Sequence, residues 1–207
     1  MQKLQSSLRN MTIVLVGMSV VIGCLLAYVN HVTEGPITQQ AQQKLADGIK
    51  AVLCTNDLKV SANDTIKNNI DGKEFTFVVH KAVDRDDKEI GAAVESTTNG
   101  FGGDLQVLVG FDTTGKILGY TILQSSETPG LGQKADKWFQ KDGKGSIIGM
   151  NPADKPLKVS KDGGQVDAIT ASTITSRAFL KAVNQAYEAY SKKTDGETGA
   201  TKQEHKE

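Results

Sequence analysis

The stretch D-A-I-T-A-S-T-I-T-S, residues 167–176, decides how this chain reads, because a turn of small hydroxyl-bearing residues runs there straight into a helix. Ile174, Ala178, Phe179, Ala182, Val183, Ala186 and Tyr190 recur at helical spacing and predict one apolar face over residues 174–190. The start of such a helix offers free N–H groups and partial positive charge, a combination suited to a phosphate. The hydroxyls of Thr170, Ser172, Thr173, Thr175 and Ser176 add donors, and the small Ala171 keeps the backbone approachable. Ser and Thr are also ordinary N-cap residues, so on this segment alone both readings stay open.

Working outward, residues 74–81 (E-F-T-F-V-V-H-K) and 90–96 predict strands rich in β-branched and aromatic residues. Residues 105–111 and 116–123 flank Asp112-Thr113-Thr114-Gly115 and predict a β-hairpin. Shorter strands are predicted at residues 146–150, 157–160 and 166–169, and a brief helix carrying Trp138 and Phe139 at residues 133–140. Strands in a block with helices mainly at the two ends predict an α+β domain of antiparallel strands with flanking helices. Residues 191–207 alternate charges without an apolar period and read as a disordered tail.

The nineteen residues 11–29 (M-T-I-V-L-V-G-M-S-V-V-I-G-C-L-L-A-Y-V) carry no charge. At ~1.5 Å per residue they nearly match a hydrocarbon core of ~30 Å. Lys3 and Arg9 precede the run, whereas no Lys or Arg follows until Lys44. The excess of positive charge before the span places residues 1–10 in the cytoplasm and everything after Val29 outside it. A cleaved signal peptide would have a shorter apolar core and a small-residue cleavage site. Val21-Ile22-Gly23-Cys24 resembles a lipoprotein box, yet the apolar run continues past Cys24. A retained single-pass helix is the reading the length supports. Thr33-Glu34-Gly35-Pro36 is expected to end it, with Pro36 in the first turn of a second, amphipathic helix carrying Ala41, Leu45, Ile49, Val52 and Leu53. Residues 55–72 are polar with Asn-Asp and Asp-Gly turn signals, completing a linker over residues 30–72.

Composition narrows the chemistry. The 207 residues carry zero net charge and 5% aromatics, which leaves no basic excess or stacking surface for nucleic acid. Cys24 lies in the apolar run and Cys54 stands alone beyond it, so no disulfide within the domain is available. There is no C-x-x-C, and His31, His80 and His205 are scattered singletons, read as surface or interface residues rather than metal ligands. No Ser/His/Asp set, paired-carboxylate signature or Walker loop offers a hydrolase or phosphotransferase a foothold. If the chain does redox chemistry, that chemistry must come from an organic cofactor.

Two further loops can hold one. In Glu127-Thr128-Pro129-Gly130-Leu131-Gly132, Pro129 fixes one backbone angle while Gly130 and Gly132 permit close approach of a ligand. Such a loop can place N–H groups and the Glu127 carboxylate beside a planar polar ring, or can simply be a tight turn. Asn99-Gly100-Phe101-Gly102-Gly103 lacks the full dinucleotide fingerprint and opens no helix. Gly102 and Gly103 are candidate ligand contacts on a glycine-rich inter-strand loop.

Taken together, G-F-G-G, then E-T-P-G-L-G, then D-x-x-T-A-S-T before a C-terminal helix, all behind one N-terminal apolar helix, resembles the G subunit of the Rnf ion-translocating ferredoxin:NAD oxidoreductase. The C subunit of the sodium-pumping NADH:quinone oxidoreductase is a related alternative, and the H-V-T-E-G-P-I spacer looks more like the Rnf protein. The resemblance implies an FMN-binding domain over residues 73–190 with FMN held through a phosphoester to a threonine. The family's attachment pattern maps onto Asp167, Thr170, Ala171, Ser172 and Thr173, with Thr173 the acceptor. Ala171 and Ser172 stand where the family commonly has Gly-Ala. Glu127, Thr128, Gly130 and Leu131 are then expected at the ring or ribityl chain, with Gly132, Gly102 and Gly103 nearby and Thr175 and Ser176 near the phosphate. The implied partners are integral-membrane and redox subunits of a complex in the inner membrane, and a flavin transferase for maturation. The chain is not expected to be catalytic alone, since no acid, base or nucleophile is evident beyond the flavin. A rival from another class is a membrane-anchored extracytoplasmic binding or assembly module without flavin.

Overall fold

In the computed structural model, which describes residues 8–53, 59–70, 73–83 and 89–201, the chain divides into two units at residues 44 and 45. Helix α1 (Leu8–Val52) supplies the first unit and enters the second. Its apolar side chains from Leu8 to Ile37 are exposed, and the helix is long and apolar enough to cross a membrane. The hydroxyls of Thr12, Ser19, Thr33 and Thr38 each donate to the carbonyl four residues earlier, so these polar groups are satisfied within the helix, as lipid requires. The expected break at residues 33–36 does not occur: α1 runs through Pro36. Proline inside a helix forgoes one backbone bond at about 3 kcal/mol, and the long uninterrupted ladder on both sides absorbs that cost. Cys24 is exposed on α1, and Cys54 lies outside the described residues.

The second unit is built on a five-stranded antiparallel meander, β1 (Lys59–Ile70), β2 (Lys73–Val83), β3 (Glu89–Asn99), β4 (Asp104–Asp112) and β5 (Ile117–Ser125), in the order β1-β2-β3-β4-β5. Register is set by alternation, so that Val94 opposes Val109 and Val109 opposes Tyr120 on one face. That face carries the main core with Phe77, Val79, Leu105, Val107 and Phe111. Over it lies α3 (Thr173–Thr201), with Phe179 stacked on Phe139 at 4.3 Å and edge-on to Tyr120 at 4.7 Å. The Thr98 hydroxyl on β3 donates to the Ala178 carbonyl at 3.0 Å and fixes the start of α3 along the sheet.

On the opposite face, Ile49, Val52 and Leu53 pack against Ala82, Ala93 and Leu108. Gly110 and Gly119 are paired across β4 and β5, and a Cβ on Gly110 would stand 2.5 Å from the Val52 carbonyl oxygen. The two glycines form a dent that seats the end of α1.

Several expectations need correcting. Residues 59–70, read as polar linker, form β1; it is an edge strand held by backbone pairing with β2, which leaves no apolar alternation to detect. Its Asp71-Gly72 turn signal lies outside the described residues. The three short strands predicted between residues 146 and 169 are irregular, apart from a single Val159–Val166 bridge. Ile147, Leu157, Val159, Val166 and Ile169 are nonetheless all buried, because the segment plugs the core while glycines and prolines interrupt any ladder. Asn184 holds this segment to α3 by bonding both the N–H and the carbonyl of Leu157. The short helix expected at residues 133–140 is a 3-10 turn (Gly132–Lys134) followed by α2 (Ala135–Trp138). Finally, α3 continues to Thr201 rather than giving way to a tail at residue 191, since extending a formed helix costs little; residues 202–207 lie outside the described set.

Candidate functional site

Glu127 organises the site. Its carboxylate is buried, with one oxygen accepting from the Phe101 N–H at 2.6 Å and the other from the Thr175 hydroxyl at 2.9 Å. One side chain thereby joins the β3–β4 loop, the loop after β5 and the first turn of α3. The glycines beside it are there for room: a Cβ on Gly100 or on Gly132 would collide with the Glu127 carboxylate. Gly102 is similarly closed against the Ser126 carbonyl.

Around this junction lies a cavity of about 410 Å³. Phe101 lines it from the first loop, Glu127, Thr128, Leu131 and Gly132 from the second, and residues 171–175 from the start of α3. Among the residues beyond Ile37 whose side chains are described, Phe101, Leu131 and Ile174 are the large apolar ones left exposed, at 69%, 41% and 52%. All three line this one cavity, which gives an open apolar mouth with a polar floor. The expectation that Ile174 joins the apolar face of α3 is thus corrected: the residue lies in the first turn, beyond the sheet, and faces solvent.

The turn that starts α3 is tightly knitted. Ala171 has φ +62°, the left-handed region, which costs an L-residue with a Cβ about 1–2 kcal/mol. The Ser172 N–H donates to the Ile169 carbonyl, and the Ser172 carbonyl accepts from both the N–H and the hydroxyl of Ser176. The Ser176 oxygen in turn accepts from the Ile169 N–H at 2.9 Å. Ser176 is therefore spent on the turn and does not line the cavity, while Thr175 lines it with its hydroxyl committed to Glu127. The Thr173 hydroxyl, half-buried at the helix start, has the Lys161 ammonium at 3.5 Å.

Of the residues expected at the site, Thr173, Ala171, Ser172, Thr175, Glu127, Thr128, Leu131 and Gly132 come together at the cavity. Asp167, Thr170, Gly130, Gly102 and Gly103 do not line it. Asp167 contributes its backbone carbonyl, which accepts from the Trp138 indole N–H at 2.8 Å. Sequence reasoning missed Phe101, Ile174 and Lys161. A lone aromatic between glycines was the available signal for Phe101; Lys161 is twelve residues from Thr173 and gave none.

Two polar groups elsewhere complete the electrostatics. His80, read as a surface or interface residue, is buried, its Nε2 2.7 Å from Glu95, which also accepts from Gln106. The Arg177 guanidinium makes two 2.7 Å bonds to Asp162 and holds that carboxyl below the usual range. No cluster of metal-binding side chains occurs among the described residues.

Residues 100–188 match the FMN-binding domain family. The chain is 34% identical over 171 residues to the G subunit of the ion-translocating oxidoreductase complex of Shewanella baltica, covering 78% of this chain and 79% of that one. It is 34% identical over 174 residues to the protein of the same name from Yersinia pestis, covering 78% and 80%. The crystal structure of Shewanella oneidensis NqrC aligns with 62% of this chain and 64% of its own, at 18% identity and a TM-score of 0.41, a likeness too loose to bear on the fold.

Proposed function

This chain belongs to the family formed by the G subunits of ion-translocating oxidoreductase complexes, and from that footing we propose that it carries FMN esterified through phosphate to Thr173. Family membership makes it an FMN-binding, membrane-anchored flavoprotein component of a multisubunit ion-translocating oxidoreductase. The proposal adds a ferredoxin:NAD oxidoreductase complex in which this chain relays electrons on the extracytoplasmic side of the inner membrane. Its N-terminus would then be cytoplasmic, and a flavin transferase would install the cofactor.

The observation that carries the reading is one cavity with Thr173 in its wall, an apolar mouth, and two loops and the α3 start tied by Glu127. These residues fit the group. Phe101, Leu131 and Ile174 offer apolar surface to a planar ring, and Thr128 and the loop backbone offer it polar contacts. The α3 start favours the single negative charge of a phosphodiester by ~0.3–1 kcal/mol. When bound, the flavin supplies reversible electron acceptance and donation. The protein's part is to hold it: Thr173 by a covalent bond, Glu127 by keeping the two loops and the α3 start in register.

The test is maturation in the native host followed by denaturation. Flavin fluorescence is expected to stay with the chain in a denaturing gel, and intact mass to rise by one FMN residue. Thr173→Val is expected to abolish both. Colourless protein with Thr173 bare would instead support an anchored binding or assembly module.

A further inference from the structure

Lys161 belongs to none of the cavity walls, yet its ammonium is the cation beside the Thr173 hydroxyl. We propose that Lys161 is the built-in countercharge for the phosphate at Thr173 and a positioning residue for flavin attachment. This rests on the covalent reading given above.

The backbone around Lys161 is firmly fixed for an exposed segment. It sits in a 3-10 turn, Ser160–Asp162, closed by the Ser160 N–H to Val166, the Asp162 N–H to Val159 and the Gly164 N–H to Val159. The neighbouring Asp162 is clamped by two nitrogens of Arg177, one helical turn beyond Thr173 on α3. The clamp locks the Lys161 turn to the helix that bears the acceptor. Asp162 and Arg177 neutralise each other, and the Lys161 ammonium stands beside the Thr173 hydroxyl.

An ammonium has three donors and no acceptor, so Lys161 can only donate to the Thr173 oxygen. A neutral hydroxyl gains little from that arrangement. A phosphodiester is singly negative, and its unesterified oxygens would accept charge-assisted bonds roughly twice as strong as neutral ones. In attachment, the Thr173 oxygen forms a bond to phosphorus as an anhydride P–O bond of a flavin dinucleotide breaks. The electron pair leaves with the nucleoside monophosphate, and the hydroxyl proton passes to a base on the transferase. Lys161 would offset the charge gathering on the phosphoryl oxygens and remain as their partner afterwards.

The experiment uses the full chain in detergent with flavin transferase and flavin dinucleotide. Attachment is followed by intact mass, and the matured protein by phosphorus NMR. Lys161→Gln is expected to slow attachment about tenfold, while Lys161→Arg stays within about threefold of wild type, as a charged hydrogen bond requires. Raising salt should slow the wild type and leave Lys161→Gln nearly unchanged. In fully matured protein the phosphodiester resonance should move in Lys161→Gln and be restored by Lys161→Arg. Wild-type kinetics with an unmoved resonance in Lys161→Gln overturns the proposal and leaves covalent attachment standing. Slowed attachment with an unmoved resonance assigns Lys161 to the transferase contact and also overturns it. A lowered melting temperature that arginine fails to rescue assigns it to the fold, with the same result. Wild-type protein that never gains flavin at Thr173 removes the covalent reading itself.

Discussion

At the scale of single residues, the site is built from side chains whose neighbours dictate their identity. Ala171 occupies a left-handed position that glycine adopts without penalty. Ala171→Gly is therefore expected to stabilise the protein by about 0.5–1 kcal/mol, seen as a rise of a few degrees in thermal melting. Glu127 is the reverse case, a residue whose removal leaves the Phe101 N–H and the Thr175 hydroxyl without their acceptor. Glu127→Ala should cost about 2–4 kcal/mol in chemical denaturation, and Glu127→Gln distinctly less because an amide can still bond both. The small and hydroxyl residues marked a turn running into a helix, the resemblance singled out Thr173 within it, and two glycine loops marked the other walls. What the sequence could not disclose is that Glu127 holds the walls together rather than standing free beside a ligand. That role depends on a 48-residue separation closed only by the fold.

At the scale of elements, β2 to β5 were legible from β-branched and aromatic runs bounded by turn signals, and most of α3 from one apolar face of helical period. β1 escaped because its polar sequence pairs with β2 through the backbone and offers no apolar alternation, and residues 146–169 misled because burial without a ladder imitates a strand. The break assigned at Pro36 failed for a related reason: a local rule for proline yielded to a long cooperative helix. Seating of the end of α1 depends on the Gly110–Gly119 dent. Gly110→Val should wedge α1 off the sheet and lower the denaturant midpoint by about 1–3 kcal/mol equivalent, with unfolding cooperativity retained.

For the whole molecule, part of the acid stability is set by particular carboxylates held below their ordinary values. Burial raises the Asp112 carboxyl, but bonds from the Thr114 hydroxyl and the Lys116 and Thr114 N–H groups outweigh it and hold the group below its ordinary value. Asp162 is also lowered, chiefly by its bonds from Arg177. A folded-state value below the unfolded one gives stability that is complete above about pH 4 and is lost as pH falls through the lowered values. Denaturation at pH 6 and pH 3 should show this loss, and Asp112→Asn should reduce the difference between them. The chain's sole tryptophan has a consequence for watching the molecule at work. Trp138 donates its indole hydrogen to the carbonyl of Asp167, at the threshold of the turn that starts α3. A single indole is thus wired to the segment proposed to carry the flavin, and flavin absorbs in the near ultraviolet where indole emits. Ultraviolet-excited emission should dim as the yellow chromophore arrives, giving a label-free clock for maturation in unaltered protein.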